Sequence, residues 1–393
     1  MTLPIDSRYA ALPAMPRHRD FIMPLLAVML TSLLASTASA SSVSTSVAAQ
    51  STSLTSAEPS LTQEQKKSLA ITTRYQHDVE RALRLSASRR DQALSTQLMH
   101  FDEPYGPGKA DAARGALLRK AAEGAPKDRV VQWIWSNAAP GASGCETRHP
   151  CPDRAGALAR LEPDNAAAWV PVLAEAARSN GVAGIDGALS HMAVATRYDE
   201  VFHETMGAWF EVFRRFPPPL ELLRMPDGRT GDATLLAEVS ALAQVAAAFA
   251  PYQGLVQSCQ RDKHPEAAAS RFEKCAKAGR LMLDESTMFL PRFIGRTMLR
   301  VSGLANDEDR KLALTTEWQY EQHKRLTPTD ESNLTPLRQQ MDLLVASDSE
   351  VEAAQQDLRR ASVPLSPPPG WWPTRDGKPL GPLGEDAAPA KQP

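Results

Sequence analysis

Isoleucine is scarce in this chain, with six in 393 residues. No stretch of alternating apolar and polar residues is long enough to build a sheet, and with so little of a strong β-former the sequence argues against β architecture. Charge of one sign is also missing. Lys and Arg number 44 against 46 Asp and Glu, a formal charge of −2. A dedicated nucleic-acid binder carries a basic stripe, so none is expected here. After residue 40 no apolar run approaches the roughly 20 residues that a bilayer span needs. The motifs with a known mechanism are absent: no G-x-S-x-G elbow, H-E-x-x-H, C-x-x-C, P-loop or G-x-G-x-x-G occurs. No cofactor is expected. An enzyme would have to use groups that meet only in the fold, as glycosidase carboxylates do.

What the chain does have begins at its amino terminus. Arg17 and Arg19 precede an apolar run from Phe21 to Ala35, and Ala38-Ser39-Ala40 follows. A positive start, a short apolar body and an A-x-A end predict a secretory signal over residues 1–40, with Met15 as an alternative initiator. The protein is therefore expected to be periplasmic or secreted. Cleavage would leave a formal charge of −3. No cysteine near the cleavage point suggests a lipid anchor. Residues 41–61 are rich in Ser and Thr and read as a tether. Residues 363–393 carry nine prolines and include Pro367-Pro368-Pro369-Gly370-Trp371-Trp372-Pro373. This tail can form neither a helix nor a central strand. Its two tryptophans either dock into a partner's groove or lie on the chain's own domain.

Between these ends, residues 62–362 read as all-α. Ala, Leu, Glu, Gln and Arg dominate, and all favour helix. Thr62 and Gln65 form a capping-box candidate, followed by Ile71, Tyr75, Val79 and Ala82 on one face. Asp232 is placed to cap a helix with Leu235, Val239, Leu242, Ala246 and Phe249 on one side, ended by Pro251. Asn306 leads an acidic start, Asp307-Glu308-Asp309, and His323-Lys324-Arg325 closes the same helix in accord with its dipole. Thr335-Pro336 opens another, with Leu337, Met341 and Leu344 behind it. The predicted fold is a set of stacked helical hairpins with no substantial sheet.

An exported chain with four cysteines, Cys145, Cys151, Cys259 and Cys275, suggests two disulfides. Three connectivities are open. The local pairs, Cys145 with Cys151 and Cys259 with Cys275, are favoured, each contributing about 2 to 3 kcal/mol. Cys145, His149 and Cys151 could alternatively supply three ligands to a metal, though an oxidising compartment favours the bridge. Glu200-x-x-His203 and the reversed His77-x-x-Glu80 have the spacing of di-iron ligands, but read more simply as the polar surface of amphipathic helices. Phe202, Met206, Trp209, Phe210 and Phe213 form the core stripe beside the first pair.

Glu162-Pro163-Asp164-Asn165 precedes Ala166-Ala167-Ala168-Trp169, and Trp133 follows Pro126 in a looser copy, 36 residues before Trp169. This punctuation resembles the junction between tetratricopeptide repeats over residues 126–197. Val172 falls where that family has leucine, Ile185, Leu189 and Met192 at the packing positions of its second helix, and Asn180-Gly181 at the turn. The chain departs from the pattern at Leu173, Ala176 and Arg197. The resemblance implies a concave face lined by Ala167, Val170, Ala174 and Ala177, with no cation to clamp a peptide carboxylate. Two functions follow as expectations: a non-enzymatic scaffold with a protein or peptide partner in the cell envelope, or an exported all-α hydrolase or lyase whose carboxylates converge in the fold.

Overall fold

The computed structural model describes residues 63–98, 109–138, 154–223, 231–247, 250–326, 335–375 and 378–385. The signal, the tether, Thr62, Cys145, His149, Cys151 and Phe249 lie outside the described residues. Those that are described are overwhelmingly helical, in pairs that fold back on their neighbours.

The first four helices, α1 (Gln63–Arg84), α2 (Arg89–Leu98), α3 (Lys109–Gly124) and α4 (Arg129–Asn137), pack in succession. Asp128 caps α4, its carboxylate accepting from the Val131 N–H at 3.2 Å, and Val130, Val131, Trp133, Ile134 and Trp135 are all buried. The expected stripe on α1 is rotated by about one residue. Thr72, Gln76, Val79, Glu80 and Leu83 are its buried line, while Ile71, Tyr75 and Ala82 are half-buried. Buried Glu80 is held by Arg84 at 2.9 Å, so this face tolerates a carboxylate that apolar periodicity ignores.

A short α5 (Ala157–Leu161) leads through a 3₁₀ turn (Ala166–Trp169) into α6 (Val170–Arg178) and α7 (Val182–Val194). Asn165 caps the turn, accepting from the Ala167 N–H at 3.1 Å. Trp169 stacks on His191, ring centroids 3.8 Å apart, and donates its indole N–H to the Pro163 carbonyl. Asn180 takes φ of 52° between the two helices, a conformation that asparagine reaches more easily than most residues. Ile185, Leu189 and Met192 are buried.

Next come α8 (Phe202–Arg215), α9 (Ala233–Ala247), α10 (Tyr252–Ser258), α11 (Ala269–Glu285) and α12 (Phe289–Ser302). Phe202, Met206, Trp209 and Phe213 face the core and Phe210 is half-buried. Asp232 caps α9 by accepting from the Thr234 and Leu235 N–H groups. Leu235 and Val239 are buried and Leu242 half-buried, but Ala246 is exposed, because buried Gln244 and Val245 turn the face before Pro251. Cys259, after α10, is bonded to Cys275 of α11. The α11–α12 pair is the tightest, with Gly279 facing Gly295.

Finally, α13 (Asp307–Leu326), α14 (Thr335–Ala346) and α15 (Glu350–Arg360) complete the set. Asn306 and Asp309 cap one another reciprocally at 2.8 Å each way. Most of the core is one continuous cluster from Val79 to Ala353. Beyond α15 the chain forms a strap. The Trp318 indole donates to the Pro364 carbonyl at 2.7 Å and the Gln319 amide to the Leu365 carbonyl at 3.0 Å. The two-residue strands β1 (Thr374–Arg375) and β2 (Lys378–Pro379) pair antiparallel, and Leu383 inserts among Ala276, Leu283, Leu299 and Ala313. Of the tryptophan pair, Trp371 meets Trp318 edge-on at 5.2 Å while Trp372 stays 47% exposed.

Candidate functional site

Two of the places that gather polar groups beyond what helix capping requires differ in their access to solvent. One is sealed. Ser286 ends α11 and is fully buried, its hydroxyl donating to Glu200 Oε1 at 2.6 Å. Glu200 is 2% exposed, and its Oε2 has no hydrogen-bond partner among the described residues. Burial pushes its carboxyl up to about 8, against the opposing Ser286 hydrogen bond. Glu350, at the start of α15, accepts the Phe289 N–H of α12 at 2.9 Å, and burial raises its carboxyl too. Arg292 spans the α11–α12 turn, donating to the Asp284 and Ser286 carbonyls at 2.8 Å each. Tyr198 and Tyr252 lie nearby with hydroxyls 3.5 Å apart, both raised by burial. Val201, next to Glu200, holds φ of 55°. A β-branched residue there is strained by about 1 to 3 kcal/mol, and such strain gathers where surrounding structure enforces it.

The carboxylate–imidazole spacing at Glu200 and His203 therefore does not make a polar helical surface. Glu200 precedes α8 and is buried, whereas His203 reaches Asp348 at 3.2 Å. His77 is exposed and Glu80 is buried. Among the described residues no group of three or more His, Cys, Asp or Glu side chains could hold a metal. The periodicity of α8 begins two residues too late to reveal Glu200. Its only sequence signal is an acid directly before the apolar Val201-Phe202.

The second place is open. A groove of about 570 Å³ runs between the end of α7, α11 and the start of α13. Met192, Leu281 and Leu312 give it an apolar floor, and Lys277, Asp284, Glu285 and Glu308 stand at its edges. Arg280 in its wall is fixed by Asp309 at 3.0 Å. The concave face expected from the repeat resemblance lies elsewhere and is not open. Ala167 and Val170 are completely buried, Ala174 is 5% exposed and Ala177 half-buried. Helix α10 covers them: a Cβ built on Gly254 would stand 3.2 Å from the Ala177 methyl and 3.4 Å from Ala174. Small residues on α6 thus serve close helix packing rather than a ligand.

At the junction before α6, Arg129 pairs with Glu162, Asp199 and Glu204, and Arg197 with Glu162, Asp164 and Asp199. Arg197 stands where a repeat would close on proline. Its carbonyl also accepts the Ala166 N–H at 2.9 Å, so the residue ties successive hairpins together by ion pairs and one bridge.

Among the described residues, fold and sites together define an all-α arrangement of paired helices with an open groove and a sealed polar junction. Comparison with protein-family models finds no match, and comparisons with curated proteins and with solved structures find none either.

Proposed function

We propose that this is an exported, non-enzymatic interaction protein whose groove between α7, α11 and α13 receives an extended polypeptide segment of a partner. The observation that carries the reading is the contrast between the two polar sites. Glu200, the carboxyl whose environment could support acid–base chemistry, is shut from solvent at 2% exposure, as is its partner Ser286 at 0%. The accessible groove offers an apolar floor with charges of both signs at its edge, which suits a peptide with side chains on alternate faces. Export rests on the amino-terminal pattern of Arg17 to Ala40. No helix of the described residues is long and apolar enough to cross a membrane.

Panning a displayed random-peptide library against the purified protein tests the groove. Enriched peptides should lose binding when Ala193→Trp fills the groove, and keep it when Leu85→Ser alters an exposed apolar residue outside the groove lining. No enrichment, or enrichment indifferent to Ala193→Trp, would contradict the proposal.

A further inference from the structure

Segments distant in sequence converge on the α11–α12 turn. Ser286 Oγ is bound to Glu200 from the approach to α8. From the start of α15, Ser349 Oγ and the Val351 N–H donate to the Thr287 carbonyl at 3.0 and 3.1 Å, and Glu350 accepts from Phe289. Arg292 closes the turn from within. Asp284 and Glu285, directly before Ser286, are groove wall. One hydrogen bond, Ser286 to Glu200, therefore links the strained approach to α8 with the edge of the groove.

The neighbours of Glu200 decide what its charge would do. Tyr198 and Asp199 flank it on its own segment, Tyr252 faces it from α10, Ser286 and Arg292 from the α11–α12 turn, and Glu350 from α15. Arg292 is the one cation in this group, and two carbonyls already engage it. Ionised Glu200 would thus carry a buried charge beside two other acids, with one oxygen unpartnered. The cost of burying such a charge favours moving the turn once Glu200 ionises.

We propose that Glu200 is a proton-operated latch: as a neutral acid it fastens the approach to α8 onto the α11–α12 turn, and its ionisation releases that turn together with the Asp284–Glu285 wall of the groove. The latch holds whether or not the groove takes a peptide. Release also lets Val201 leave its left-handed conformation.

Carbon-13 labelling of glutamate carboxyls, with hydrogen exchange, tests the latch. One carboxyl carbon should titrate near pH 8, about where burial places Glu200, and vanish from the spectrum of Glu200→Gln. Amide protection over residues 199–206 and 284–292, corrected for intrinsic exchange, should fall by up to about tenfold per pH unit from the unfolded value near 4.5 up to that midpoint and level off above it. In Glu200→Gln the fall should be absent. Ser286→Ala removes a hydrogen bond that favours the charged form, so it should move the midpoint upward, and it carries the test if Glu200→Gln does not fold. A Glu200 carboxyl titrating in the ordinary carboxylate range, an unchanged pH slope in Glu200→Gln, or an unmoved midpoint in Ser286→Ala would overturn the latch.

Discussion

Gly279 and Gly295 sit where α11 and α12 come closest. A Cβ on Gly295 would stand 2.5 Å from the Gly279 carbonyl oxygen and 2.8 Å from the Leu283 backbone nitrogen, neither of which can swing aside. Gly295→Ala should cost at least about 1 to 3 kcal/mol in chemical denaturation, as overpacking does. Gly187, in the exposed face of α7, meets nothing within 4 Å. Gly187→Ala should stabilise by up to about 1 kcal/mol, the helix-propensity difference. Opposite signs from one substitution type separate packing from propensity. Glu200 belongs to the same scale. Its carboxyl is raised in the folded chain, so its contribution to stability is fully present below the unfolded value near 4.5 and is lost as pH rises through about 8. Glu200→Gln should flatten that decline, by an amount on the order of 5 kcal/mol at most. Glu350, also raised by burial, adds a decline of the same sign, which Glu200→Gln leaves in place. The sequence does not show the close approach at Gly295, the open space at Gly187 or the sealed surroundings of Glu200, because each depends on where other elements come to lie.

At the scale of the element, local chemistry is legible. Asp232 caps α9 and Asn306 opens α13, both readable from a polar residue before an apolar period. Removing such a cap with Asp128→Ala, which also breaks the pair with Arg90 at 2.9 Å, should lower stability by about 1 kcal/mol. The Cys259–Cys275 bridge, separated by 16 residues, was one of several pairings open from composition. Its closeness along the chain, across a helical turn around His264-Pro265, favoured it. Replacing both cysteines with serine should cost about 3 kcal/mol, mostly by freeing the unfolded chain. The faces of α1 and α9 were read less well. Thr72, Gln76 and Glu80 are buried on α1, and Gln244 on α9, so polar residues carry part of the core that apolar spacing alone misses. The small residues of α6 were misassigned to a groove for a related reason. Ala and Gly at helical spacing look the same whether solvent, a ligand or another helix lies opposite, and here α10 does.

For the whole molecule, the all-α class followed from composition and periodicity, since local helix preference and paired packing agree. The open groove was not legible, because α7, α11 and α13 contribute to it from positions more than a hundred residues apart in total. The strap adds a check on assembly. Trp318→Phe keeps the ring against Trp371 but deletes the indole N–H that holds the Pro364 carbonyl. Limited proteolysis should then cut around residues 363–373 sooner, with the helical body left intact.

The central claim is that the groove, and not the sealed carboxyl junction, meets another molecule. Its most direct test is a photo-crosslinking residue placed at Leu312 in the groove and, separately, at exposed Leu85, in the protein produced by its own cells. The account predicts a discrete polypeptide adduct from position 312 that is absent from position 85 and lost when Ala193→Trp fills the groove. Equal adducts from both positions, or an adduct at 312 that survives the filled groove, would contradict it.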